Sequence, residues 1–175
     1  MSIIFFLVAA AVVALDQLTK HAIATHFLPD ESRIVIPRVL WLTYVQNHHG
    51  AFGLFGSHPL VLAVAALAVV LMFYYWYRQD SATLLTHIAF GLILGGAIGN
   101  IVDRVRFQYV VDFIDLRWWP VFNVADSAIS IGVGLLLLRI LAHERKPRAA
   151  PAEQPVATPP SISTQPPAER SPAER

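Results

Sequence analysis

The chain has 175 residues, 55% apolar and 14% charged, with a net charge of +1 and a mean hydropathy of +0.53. That balance supplies no basic field for nucleic acid, and the absence of cysteine excludes disulfides, thiol nucleophiles and Cys-rich metal sites. The apolar residues are clumped into long runs, so the expected fold is an all-α membrane protein with a single helical bundle domain.

Residues 3–15 are an unbroken apolar run, and apolar spacing continues past Asp16. No Lys or Arg precedes the run, so a membrane helix over residues 3–24 is favoured over a cleaved signal peptide. About 20 residues rising ~1.5 Å each cross the ~30 Å hydrocarbon core. Asp16 and Lys20 are four apart, share a face and can pair. The other reading of Asp16 is a polar contact near a reaction site.

Residues 25–57 mix polar and apolar positions. Residues 33–45 are rich in β-branched and aromatic types, with Pro37 between them, and predict short strands or an edge hairpin at the membrane surface. Trp41 and Tyr44 are residue types that settle at the headgroup level. Beyond Asn47, Gly50, Gly53 and Gly56 recur every third residue among apolar neighbours. This predicts a turn into a short interfacial helix, serving either as a plain surface loop or as a flap over the site.

The second span, 59–78, is apolar and ends in aromatics that anchor it. A short turn brings the chain back as the third span, 84–103. Gly91, Gly95 and Gly99 recur every four residues, a pattern for close helix approach. Asn100, Asp103 and Arg104 follow at i, i+3 and i+4 on one face, where the guanidinium can hold carbonyls or carboxylates.

Between the third and fourth spans, residues 110–115 alternate apolar and acidic positions, predicting a short extended segment with Val111 and Phe113 opposite Asp112. The fourth span, 122–142, opens with Asn123 and Asp126 at capping-box spacing. Residues 147–175 turn to Pro, Ala, Ser, Gln and Glu, and predict a disordered tail after a domain ending at residue 146. Four spans put both termini on one side, and the basic residues after the fourth argue for the cytoplasm. The polar connections then face the other side as a small extracytoplasmic β-rich segment.

Asp112 and Asp126 therefore lie at the rim of the bundle. A carboxylate at mid-helix depth costs about 2.5–3.5 kcal/mol, so it usually serves a pathway or a reaction. With no Ser–His pairing, no cysteine and no metal-ligand spacing among seven scattered histidines, carboxylates are the strongest catalytic candidates and no cofactor is expected. An ionised Asp can take a proton from water while a protonated one donates to a carbonyl oxygen. Asp126, in the first turn of a helix, is favoured as the anion and base, and Asp112 as the acid. Helix capping remains an alternative for Asp126. A small proton-coupled transporter or channel subunit remains an alternative function.

Four stretches resemble the lipoprotein signal peptidases, signal peptidase II. They are Leu15-Asp-Gln-Leu-Thr-Lys20, Gly95-Gly-Ala-Ile-Gly-Asn-Ile-Val-Asp-Arg104, Val110-Val-Asp-Phe113 and Phe122-Asn-Val-Ala-Asp-Ser-Ala-Ile129. The resemblance covers residues 1 to about 142. It implies an aspartyl endopeptidase of the bacterial inner membrane that cuts before a diacylglyceryl-modified cysteine of prolipoproteins. It further implies Asp112 and Asp126 as the dyad, with Asp16, Asn47, Gly95, Asn100, Asp103, Arg104 and Asn123 in support. Inhibition by the cyclic peptide globomycin is implied too. Membrane lipids and a monomeric state complete these expectations. The chain departs from the family at Asn47-His-His-Gly-Ala-Phe52, where the usual pattern is Asn-Thr-Gly-Ala-Ala-Phe, so His49 stands in place of a glycine.

Overall fold

The computed structural model describes residues 3–48, Tyr74 and residues 83–144. Within them, the order is α1 (Ile3–His26), β1 (Ser32–Ile36), β2 (Leu40–Asn47), α2 (Leu84–Phe107), β3 (Val110–Asp115) and α3 (Val124–Glu144). The span expected at 59–78, the interfacial helix or flap after Asn47 and the tail all lie outside the described residues. Three described helices are long and apolar enough to cross a membrane. At ~1.5 Å per residue, a helix of 24 residues spans about 36 Å.

The buried residues of α1 are Phe5, Ala9, Val12, Asp16, Lys20 and Ile23. Their spacing of three and four makes one stripe that starts apolar and turns charged. Ile3, Phe6, Leu7, Leu15 and Leu18 stay exposed on the outside, where lipid tails can cover them. Along α2, Gly91 faces Phe5 and Val8, Gly95 faces Ala9 and Val12, and Gly99 faces Asp16, so α1 and α2 run parallel. A Cβ at Gly95 would stand 2.7 Å from the Ala9 carbonyl oxygen and the Val12 Cβ, so the close approach requires glycine there. Helix α3 runs the other way, because Gly96 faces Ala125 and Ile129 while Gly132 faces Ala89 and Ile93.

Helix α2 is longer than the 84–103 span predicted from sequence. It ends on Gln108, in a left-handed conformation (φ 66°), whose N–H donates to the Arg104 carbonyl. Asp103 is therefore an interior helical residue and not part of a solvated end. At the opposite end Thr83 caps α2, and the Arg139 guanidinium of α3 donates to the Thr86 hydroxyl.

The three strands form one antiparallel sheet in the order β1-β2-β3. Pro37, Arg38 and Val39 make the hairpin turn, with Arg38 at φ 66°. Ile23, Tyr44, Val111 and Phe113 pack into one cluster that seats the sheet on α1. Tyr44 is thus buried against protein, 4% exposed. Trp118 and Trp119 are exposed, and the Arg117 guanidinium lies 4.6 Å above the half-buried Trp41 ring. After β3 the chain turns back so that Phe122 pairs with Ile114 through backbone hydrogen bonds of 2.7 and 3.1 Å. That pairing fixes where α3 begins and sets Asn123 beside β3.

Candidate active site

The charged end of the α1 stripe carries the first part of the site. Lys20 is 3% exposed, Asp16 0% and Asp103 1%. The Lys20 ammonium lies 2.8 Å from Asp16 Oδ2 and 3.0 Å from Asp103 Oδ2, and donates to Asn100 Oδ1 at 2.9 Å. Three donors thus meet three acceptors, as a buried ammonium requires. The remaining carboxylate capacity fastens backbone. Asp16 Oδ1 accepts from the Ala125 N–H at 2.9 Å, in the first turn of α3. Asp103 Oδ2 accepts from the Val111 N–H at 3.1 Å, at the start of β3. Gln17 closes the group, donating to Asp103 Oδ1 at 2.9 Å and to the Gly99 carbonyl at 3.2 Å. A Cβ at Gly99 would stand 2.5 Å from Asp16 Oδ2, so a side chain there would displace this carboxylate.

These anchors place two further carboxylates. Asp112 lies on β3, opposite Val45 of β2, and is 3% exposed. Its Oδ1 accepts from Asn123 Nδ2 at 2.7 Å and its Oδ2 from Asn47 Nδ2 at 2.8 Å. Asp126 is half-buried in the first turn of α3. Its Oδ1 accepts from Asn100 Nδ2 at 2.8 Å, and its Oδ2 from the Asn123 N–H at 3.3 Å. Asn123 Oδ1 in turn accepts from the Asp126 N–H at 2.9 Å. The capping box foreseen at Asn123 and Asp126 is therefore formed, and the same two residues also reach into the site. Capping uses one oxygen of Asp126 and leaves the other facing Asn100, so the two readings of Asp126 are compatible.

Burial pushes the Asp112 carboxyl up to about 7, with the neighbouring Asp126 charge adding to the rise. The Asn47 and Asn123 donors and the Lys20 charge act in the opposite direction and only partly offset it. Charge counting agrees: Lys20 is already shared between Asp16 and Asp103, so ionising Asp112 beside Asp126 adds an anion without a cation of its own.

Of the residues singled out from sequence, Asp16, Asn47, Asn100, Asp103, Asp112, Asn123 and Asp126 join in this one network. Gly95 serves the α1–α2 contact instead. Arg104 is half-buried, and among the described residues its side chain pairs with no carboxylate. Asp115 is held apart by Thr43 Oγ1 at 2.7 Å and the Arg117 N–H at 2.8 Å. Lys20 and Gln17 went unrecognised as parts of the site. The signal for Lys20 was present, since an ammonium on the buried stripe of a membrane helix needs acceptors there. Among the described residues no group of three or more His, Cys, Asp or Glu is arranged to hold a metal ion. His48, next to Asn47, lies 5.2 Å from the Tyr109 ring, centroid to centroid.

The family model described as signal peptidase (SPase) II matches residues 8–142. The lipoprotein signal peptidase of Syntrophotalea carbinolica is 47% identical over 145 residues, covering 77% of this chain and 89% of that protein. That of Moorella thermoacetica is 46% identical over 139 residues, covering 78% and 92%. Two solved structures, each presented as a bacterial membrane enzyme determined by the in meso method, are also similar. One has a TM-score of 0.79 at 31% identity and covers 85% of this chain and 94% of its own. The other has a TM-score of 0.73 at 35% identity, covering 78% and 92%.

Proposed function

The chain belongs to the signal peptidase II family, and on that premise we propose that it is an aspartic endopeptidase using Asp112 and Asp126. It removes signal peptides from prolipoproteins. The cut falls before the diacylglyceryl-modified cysteine, at the end of the bundle next to the sheet. The single observation that supports the chemistry best is the pair Asp112 and Asp126, joined through the Asn123 and Asn100 amides, with a carboxyl at Asp112 poised near 7.

Asp126, the more exposed of the two and in the first turn of a helix, takes a proton from water as the water oxygen attacks the scissile carbonyl carbon. Protonated Asp112 donates to the carbonyl oxygen. When the tetrahedral adduct collapses, the leaving amine takes the proton held by Asp126, and Asp112 recovers its own. Asn47 and Asn123 hold Asp112 in place throughout, one on each oxygen. The site faces the extracytoplasmic side of the inner membrane, with both termini in the cytoplasm. Globomycin competes with the precursor at this site. The transporter alternative finds no support in the family assignment.

Purified protein in lipid-containing micelles is expected to cut a diacylglyceryl-modified precursor and to leave the same precursor without lipid intact. Equal rates on the two substrates would contradict this assignment.

A further inference from the structure

Lys20 is a buried ionisable group to which the dyad chemistry gives no task, although it stands two hydrogen bonds from Asp126. We propose that Lys20 is a positioning residue for the cleavage step. Its ammonium sets which way round the Asn100 amide lies, so that Asn100 presents a donor and not an acceptor to Asp126. The inference rests on the aspartic reading of the site.

A carboxamide has two ends of nearly equal shape and opposite hydrogen-bonding sense. What faces it decides its orientation. An ammonium can only donate, so the Asn100 atom 2.9 Å from Lys20 Nζ has to be the oxygen. The nitrogen is then left facing Asp126 Oδ1, at 2.8 Å. Asn123 is oriented from the other end in the same manner. The Asp126 N–H, also a pure donor, lies 2.9 Å from Asn123 Oδ1, which leaves Asn123 Nδ2 for Asp112 Oδ1 at 2.7 Å. Two fixed donors therefore set the polarity of an amide chain that ends on both carboxylates. Without Lys20 the one other donor to Asn100 Oδ1 among the described residues is Asn123 Nδ2, at a longer 3.2 Å and shared with Asp112. An inverted Asn100 would set its oxygen against the Asp126 carboxylate. Lys20 forms its ion pairs with Asp16 and Asp103, and beyond the through-space effect of its charge its hydrogen-bonded link to the dyad runs through Asn100.

A double-mutant cycle read in kcat and KM tests this on purified protein with a diacylglyceryl-modified precursor, normalised to folded enzyme. Lys20→Met is expected to lower kcat by about 10²-fold and to leave KM within about twofold. Asn100→Ala should lower kcat by a comparable factor. The double variant should be no slower than Asn100→Ala alone, because the amide that Lys20 orients is gone. A Lys20→Met enzyme with wild-type kcat, or losses that multiply in the double variant, would overturn the proposal. Should Lys20→Met not fold, Asn100→Asp decides the matter. It keeps an acceptor for Lys20 but turns an oxygen toward Asp126, so a kcat loss of about 10²-fold supports the proposal and near-wild-type kcat overturns it. Failure of the aspartic reading is seen separately, as retained cleavage in Asp112→Asn.

Discussion

Asp112→Asn should lower cleavage of a lipid-modified precursor by about 10³-fold or more, and Asp126→Asn should do the same, while both proteins still fold. Loss of a positioned acid or base costs about 10²–10⁴-fold, and two groups acting as a unit each remove most of the activity alone. Both substitutions preserve shape. An Asn at position 126 keeps an oxygen for Asn100 Nδ2 or for the capped Asn123 N–H, so the helix start loses only about 1 kcal/mol. At position 112 the change acts on stability through protons. The folded protein holds the Asp112 proton up to about 7, whereas an unfolded chain releases it near 3.9. The native state thus binds more protons between these values. The stabilisation is full below about 4 and is lost as pH rises through about 7. Removing the charge relieves that loss, so at pH 8 Asp112→Asn should be no less stable than wild type by thermal unfolding. Asp103→Asn provides the contrast, with partial activity only, because Asp103 fastens Lys20 and the Val111 N–H. Full cleavage by either dyad variant would remove the dyad.

Asp16→Ala should give the largest loss of stability, about 3–5 kcal/mol, the range for taking one partner from a buried ion pair. Asp16 is fully buried, holds Lys20 at 2.8 Å and accepts from the Ala125 N–H at 2.9 Å. Alanine leaves that amide without its acceptor inside the bundle and Lys20 with a single carboxylate. Asp16→Asn should be milder, since it still accepts from Ala125. Thermal unfolding of the three proteins in one detergent provides the ranking. A loss below about 1 kcal/mol for Asp16→Ala would mean that this group behaves like a surface pair.

The local features of this architecture were legible from the chain. The apolar runs marked the described helices, the β-branched stretch around Pro37 marked the hairpin, and the spacing of Asn123 and Asp126 marked the capping box. Each depends on neighbours within a few residues. What escaped depends on distant partners. Lys20 reads as the i+4 mate of Asp16, and only the fold brings Asn100 and Asp103 to it, more than 80 residues away in the case of Asp103. Tyr44 has interfacial chemistry, and its packing on Ile23, Val111 and Phe113 is set by the sheet. Asp112 and Asp115 look alike in sequence. Pairing of Phe122 with Ile114 draws Asn123 to Asp112, while Thr43 and Arg117 hold Asp115.

The central claim is that one carboxyl of the pair keeps its proton near neutral pH, and that this proton is needed for cleavage. The dependence of kcat/KM on pH reports groups of the free enzyme. With Asp112 held at about 7, raising the pH through that value empties the acid and leaves two anions side by side. Cleavage should therefore fall on the alkaline side with a midpoint near 7. Activity that stays level or rises from pH 7 to about pH 9, in protein shown to remain folded, would contradict a protonated Asp112 as the acid.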